Sequence, residues 1–248
     1  MIELAGLIGL SAFVVASLVV GGRILLLASR TRQLPETTVG LSLVLAGGVG
    51  AALAIVPALF TGIPAATGHG LHQLSSAVSH LGYIALFVFV WRVFRPDSGW
   101  ALVLVSLCTA GLLAGGVGIA LTLQPGQMLS ARGAGGGWFW LSLGARIVVY
   151  SWASLESFHY FSMLKRRAKI GLADEAIARR FYYWGVCTTA VVCIWLNMAL
   201  QQLAPADAGY LPWANLVSAL LGFVVAGSLW RAFFARSAPP ETSPAPAG

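Results

Sequence analysis

Apolar residues run through this chain in seven long blocks separated by short polar stretches. The blocks cover Leu4–Ala28, Val39–Phe60, Gly70–Trp91, Trp100–Leu123, Trp138–Leu164, Phe181–Leu203 and Pro212–Phe234. Each matches the roughly 20 apolar residues that a helix needs to cross the hydrocarbon core of a bilayer. Within that core only a helix or a closed barrel satisfies its own backbone hydrogen bonds. The pattern therefore predicts an all-α integral membrane protein with seven transmembrane helices in a single domain over residues 1–236. The remainder, 237–248, reads SAPPETSPAPAG. Its Pro, Ala and Ser content predicts a disordered cytoplasmic tail.

Composition agrees with the blocks. Hydrophobic residues make up 58% of the 248 positions and charged residues 9%, against roughly 25% charged in a soluble domain. The net charge of +7 would suit a nucleic-acid partner if it were spread over a surface, but its placement argues otherwise. Arg30, Arg32, Arg92, Arg95, Lys165, Arg166, Arg167, Lys169, Arg179, Arg180, Arg231 and Arg236 all fall on one side of the alternating blocks, and Arg132 alone falls on the other. Cationic flanks mark the cytoplasmic side, so the expected topology is N-terminus outside and C-terminus inside. The first block lacks a basic segment ahead of it, which predicts a retained span rather than a cleaved signal peptide. Cys108, Cys187 and Cys193 lie inside apolar blocks and read as small buried hydrophobes, not as a disulfide framework or a thiolate metal site.

The chain also resembles itself. Trp91-Arg92-Val93-Phe94 closes the third block and Trp230-Arg231-Ala232-Phe233 closes the seventh; Leu34-Pro35-Glu36 and Leu172-Ala173-Asp174 follow the first and fifth at nearly the same spacing. Gly47 and Gly185 fit the same alignment. This predicts two parallel three-helix repeats, 1–97 and 138–236, joined by an inverting fourth helix and an outer loop over 98–137. Parallel repeats about an axis along the membrane normal are a known transporter plan. The plain alternative is that W-R-x-F only anchors a helix at the interface, where Trp and Arg are favoured.

In helix number and order the plan resembles the PQ-loop and SWEET-type 3+1+3 membrane proteins and, more loosely, the seven-helix rhodopsins. The Pro-Gln pair of the first group is absent: Pro35 is followed by Glu36, expected in a loop. The lysine that holds retinal in the second is absent too, since Lys165 and Lys169 both lie between blocks. The stretches R-T-R-Q-L-P-E after the first block, and F-H-Y-F, R-R-A-K-I-G-L-A-D and R-R-F between the fifth and sixth, resemble an uncharacterised family of bacterial seven-helix proteins. That resemblance implies a multi-pass protein of the bacterial inner membrane and supplies no activity.

Ionisable groups at membrane depth are functional candidates. Arg23 and Glu156 fall at similar depth in their blocks, which predicts an intramembrane ion pair; the alternative for Arg23 is a side chain that snorkels to the interface. Glu156 and His159 have (i, i+3) spacing on one helix, but the chain offers no second such motif, so a di-iron site lacks ligands. His72 and His80 are two turns apart and cannot share one iron. A bis-histidine haem would need His80 opposite His159, which lies at a different depth, so both remain weak candidates. No metal site and no cofactor is assigned. His69 is expected in the outer loop or helix cap.

A second polar group, His72, Gln73, His80, Arg146, Asn197, Gln201 and Asn215, comes from four blocks and would suit the wall of a cavity. An unpaired Arg146 there favours an anionic or carbonyl-bearing ligand; interhelical hydrogen bonds explain the same residues without one. The paired glycines Gly47-Gly48 and Gly115-Gly116 read as close-packing positions, and Gly135-Gly136-Gly137 as a flexible outer loop. Trp138, Trp140, Trp152, Trp184 and Trp213 read as belt or packing residues. The cluster Lys165–Lys169 faces anionic lipid. No Ser/His/Asp, Cys/His or H-E-x-x-H arrangement occurs, which argues against hydrolytic catalysis. Three function classes follow: a binding protein or carrier for a small solute, a sensor or assembly protein acting through protein partners or a second copy of itself, and a b-haem electron carrier.

Overall fold

A computed structural model describes residues 2–60, 62–124, 135–204 and 210–234. The expected disordered tail, Arg132 and Arg236 lie outside these. All regular structure among the described residues is helical: α1 (Ile2–Thr31), α2 (Leu34–Ser42), a π-helical segment (Leu43–Gly50), α3 (Ala51–Leu59), α4 (Ala65–Phe94), α5 (Gly99–Thr122), α6 (Gly136–Ala168), α7 (Glu175–Leu203) and α8 (Tyr210–Phe234). The segments from Leu34 to Leu59 run on without interruption and form one rod.

The helices extend past the apolar blocks because hydropathy marks the part that avoids water, not the part that is helical. Leu34-Pro35-Glu36, expected in a loop, instead opens α2: proline suits a first turn, where its missing N–H is not needed, and Glu36 accepts a hydrogen bond from the Thr31 hydroxyl. His69 is likewise inside α4, bonded to Gln73 one turn on. Gly136 and Gly137 belong to α6 rather than to a loop, and Gly135 ahead of them takes the left-handed φ of 83° that only glycine adopts cheaply. The turn from α6 to α7 uses Gly171 at φ 73°. Asp174 then caps α7, its Oδ1 accepting from the Ala176 amide at 2.7 Å, which satisfies one of the orphan donors of the first turn.

Short connections force neighbours to run antiparallel, and they close into a ring in chain order. α1 packs on the second rod, that rod on α4, α4 on α5, α5 on α6, α6 on α7, α7 on α8, and α8 returns to α1. One end of the ring, the amino-terminal end, carries Ile2 and the α3–α4, α5–α6 and α7–α8 connections. The opposite, carboxy-terminal end carries the basic residues between α1 and α2, α4 and α5, and α6 and α7.

The tightest approach is between the π segment and its two neighbours. A Cβ on Gly82 of α4 would lie 2.5 Å from the Ala46 backbone nitrogen, and one on Gly47 would lie 2.5 Å from Ser17 Oγ of α1. A side chain of α4 also reaches this segment: Ser75 Oγ donates to Gly50 O at 2.7 Å. Single π insertions are often associated with functional sites. Gly115 of α5 lies against α6 in the same way, 2.8 Å from the Trp138 carbonyl if given a Cβ.

The core is a belt of aliphatic and aromatic residues, with Phe87, Leu86, Leu112, Leu143 and Leu229 fully enclosed. The outer surface is also apolar: Leu107, Leu121, Leu155 and Leu220 are all exposed. A continuous apolar exterior of this kind requires an apolar surrounding. Six helical stretches are long and apolar enough to cross a membrane: Ile8–Thr31, Leu34–Pro57, Ala65–Phe94, Gly99–Thr122, Glu175–Leu203 and Trp213–Phe234. These describe a multi-pass membrane protein. α6, expected to be a seventh span, is the longest helix at 33 residues but falls short in hydropathy, because it carries Arg146, Glu156, His159 and several serines. The two W-R-x-F motifs have different surroundings. Arg92 lies over the ring of its neighbour Trp91, whereas Trp230 stacks on Phe234 at 4.3 Å and Arg231 points to Tyr183.

Candidate functional site

A cavity of about 660 Å³ occupies the centre of the ring. That is within the usual range for a small-molecule pocket. Its wall draws on α1, the second rod, α4, α6, α7 and α8, with Ile119 from α5, so it is broader than the site between four helices that the sequence suggested. Among the seven polar residues expected around it, His72, His80, Arg146 and Asn215 line it. Gln73, Asn197 and Gln201 do not. Gln73 is turned to His69 on its own helix, and Asn197 is buried between helices, its Nδ2 donating to Ala214 O and Ser218 Oγ at 2.8 Å each. Asn197 is thus a clasp from α7 to α8, the interhelical hydrogen bonding that the sequence also allowed.

Arg146 dominates the wall. Its Nη2 donates to Ser142 Oγ at 2.7 Å, one turn back on α6. Its guanidinium lies 5.1 Å from the ring centre of Tyr83 on α4 and 5.0 Å from that of Trp195 on α7. Both rings face the cation, an arrangement that offsets part of the cost of removing it from water. Tyr83 in turn packs edge-on against Tyr150 and Trp195, at 6.3 and 6.0 Å. The Arg146 Nε and Trp195 Nε1 hydrogens are buried with no protein partner. Such groups are scarce in native proteins, because an unsatisfied buried donor costs about 1–3 kcal/mol.

Tyr83, Tyr150, Thr188 and Trp195 were not singled out in the sequence, since aromatic and hydroxyl residues in apolar helices usually only pack. Spacing was the available signal. His80 and Tyr83 are three apart, Arg146 and Tyr150 four, and Thr188 and Trp195 seven, so each falls on the same helical face as a neighbour lining the cavity.

The cavity is uneven along its length. His72, Ser75, Ser76, Arg146, Asn215 and Ser218 lie nearer the amino-terminal end, whereas Leu43, Leu86, Val225 and Leu229 close the other. From Arg146 to the level of Leu229 is about ten helical positions, or about 15 Å at 1.5 Å per residue.

The histidines proposed for haem are kept apart. His80 is buried; its Nδ1 lies 2.5 Å from the Ser76 carbonyl, and its Nε2 is turned against α5, where a Cβ on Gly116 would come within 2.8 Å. His159 is exposed on α6, edge-on to Tyr160. Glu156, three residues before it on the same helix, is buried. Among the described residues no group of three or more His, Cys, Asp or Glu side chains is gathered as a metal site would need.

The ion pair of Glu156 has a different cation from the one expected. Arg95, at the end of α4, donates from Nε to Glu156 Oε1 at 2.7 Å and from Nη2 to Oε2 at 3.4 Å, and Trp152 Nε1 adds a third bond to Oε1 at 3.3 Å. The Glu156 carboxylate, through these hydrogen bonds first and its charge second, raises the Arg95 guanidinium pKa above its ordinary value. Arg23 is exposed, its guanidinium 4.4 Å from the Phe234 ring centre. Similar depth was the right observation, but depth does not say which side of the ring a residue occupies. α1 has no contact with α6, while the α4–α5 turn delivers Arg95 beside it.

Comparison with protein-family models, with curated proteins and with solved structures gives no match.

Proposed function

We propose that this chain is a seven-span protein of the bacterial inner membrane, N-terminus outside, that binds or carries a small solute in its central cavity. The observation that carries the reading is the cavity wall itself: a guanidinium and an indole N–H, both buried, hold donors that no protein group uses. His80 Nε2 and Trp184 Nε1 of the same wall are in that state too, so four of the six such groups among the described residues belong to residues lining the cavity. The basic side chains gathered at the carboxy-terminal end support the orientation, which puts the polar half of the cavity toward the outside. α6 crosses as the seventh span because its two charged residues at depth are kept from lipid, Arg146 on the cavity wall and Glu156 paired with Arg95. The sequential ring sets α1 to α4 and α6 to α8 on opposing arcs, an order compatible with the 3+1+3 repeat.

A second reading is favoured by one feature: Lys165, Arg166, Arg167 and Lys169 project from the end of α6 into water, where anionic lipid or a protein partner could meet them. Solute binding would then be sensed and passed on rather than followed by transport.

Native mass spectrometry of the detergent-purified protein tests the shared premise. A near one-to-one small molecule, released on unfolding, is expected. A chain that is empty from every growth medium, and that no member of a broad metabolite panel stabilises, would end the solute reading. Uptake into proteoliposomes then separates a carrier from a sensor.

A further inference from the structure

Resting on that reading of the cavity, we infer that its ligand is a small monocarboxylate with an apolar body, its head held by Arg146 and Trp195 and its body directed toward the carboxy-terminal end.

Charge comes first. Among the described residues no Asp or Glu lines the cavity, and Arg146 is the single formal charge in its wall. A cationic solute would find no counter-charge, and a polyanion would bring more negative charge than one guanidinium offsets. One cation suits one anion. The nearest acid described on α6, Glu156, is occupied by Arg95 and Trp152.

Geometry narrows the anion further. Tyr83 and Trp195 lie on one side of the Arg146 guanidinium, their ring centres 5.1 and 5.0 Å from Cζ and 6.0 Å from each other. Ser142 accepts from Nη2, which leaves Nε–H as a donor without a protein partner. Because the Trp195 ring centre is 5.0 Å from Arg146 Cζ, the indole N–H belongs to the same patch of wall. Two neighbouring N–H donors, one of them from a planar cation, match the two oxygens of a carboxylate. A sugar would instead need many paired donors and acceptors along its whole length, and the far half of the cavity is lined mainly by Leu43, Leu86, Cys187, Val225 and Leu229. The Thr188 hydroxyl there is already bonded to the backbone, and among the described residues the Trp184 indole N–H is the one free donor of that half. That half suits an aliphatic or aromatic body about 10–15 Å long, judged from helical rise.

Such a molecule could arrive from either of two places. A medium-chain fatty acid would come from the bilayer, and an aryl carboxylate from water. Decanoate and phenylacetate represent the two, with decanol and phenylacetamide as neutral counterparts. Binding to the purified full-length protein is followed by tryptophan fluorescence and by thermal shift, in wild type, Arg146→Gln and Trp195→Phe. The acids are expected to bind saturably and at least about tenfold more tightly than their neutral counterparts, the difference a charged hydrogen bond supplies. Arg146→Gln should remove that preference. Trp195→Phe, which keeps an aromatic ring and deletes the N–H, should weaken the acids several-fold and the neutral compounds less, so the test survives if Arg146→Gln does not fold. Tighter decanoate binding would assign the membrane source, and tighter phenylacetate binding the aqueous one. Equal binding of acid and neutral counterpart in wild type, or an acid preference that persists in folded Arg146→Gln, would overturn the carboxylate while leaving a solute cavity in place. Binding by none of the four compounds would also overturn it, and the mass-spectrometric search would then decide whether the cavity has another ligand.

Discussion

Arg95 and Glu156, 61 positions apart in sequence, are joined by a 2.7 Å bond from Nε to Oε1 that ties the end of α4 to the body of α6. The carboxylate is buried and the guanidinium reaches it from the surface, its side chain 43% exposed. Removing either partner leaves the other under-satisfied, and the buried one suffers more.

Glu156→Gln should therefore lower stability by about 1–2 kcal/mol, and Arg95→Gln by about 2–4 kcal/mol because it strands a buried carboxylate. Adding Glu156→Gln to Arg95→Gln should restore part of the loss, whereas Arg23→Gln with Glu156→Gln should show no coupling. A double-mutant cycle on thermal unfolding in detergent measures both couplings.

Asn197→Ala should cost about 1–2 kcal/mol, since it leaves the Ala214 carbonyl and the Ser218 hydroxyl without their donor. The cavity residues are untouched, so ligand affinity should change less than the unfolding temperature. Parallel thermal-shift and binding measurements on one preparation check this.

Gly82→Ala should be among the most damaging single-methyl additions. The new carbon would meet the backbone of Ala46 at 2.5 Å, and backbone cannot rotate away as a side-chain tip can, so about 1–3 kcal/mol is expected. Gly144→Ala, with nothing within 4 Å of the added carbon, should be tolerated. Size-exclusion chromatography after graded heating reads both.

Topology can be checked independently of ligands. Reporter fusions after Arg32, Arg95 and Gly171 should all report cytoplasm, and one placed between α5 and α6 should report the periplasm. A periplasmic signal from any of the first three would reverse the orientation and the assignment of the cavity mouth.

The helical rods were legible in the sequence because apolar blocks need no tertiary information to be recognised. What surrounds each polar residue was less so. His72, His80, Arg146 and Asn215 were placed on the cavity from depth alone, and depth is what helical rise gives. The partner of Glu156 was missed because depth is silent about azimuth, which is set by the order of helices around the ring. Gln73 and Asn197 lie off the cavity wall, each bonded to a partner on its own or the adjoining helix that spacing along the chain does not reveal. The π segment from Leu43 to Gly50 had no readable signature beyond its glycines.

The polar content of α6 bears on how the protein is made. A segment with an Arg and a Glu in its central stretch enters a bilayer at a cost of about 2.5–3.5 kcal/mol for a charge at mid-helix, and its serines add to this. Left alone beside the translocon, it is the helix least able to leave water for lipid. Arg95 is synthesised first and waits at the end of α4, while the rings that cover Arg146 come from both directions: Tyr83 is already in place and Trp195 is not. With α6 as the proposed seventh span, its membrane insertion is completed by chain that follows it, and truncation before α7 should leave a product recognised by membrane quality-control proteases.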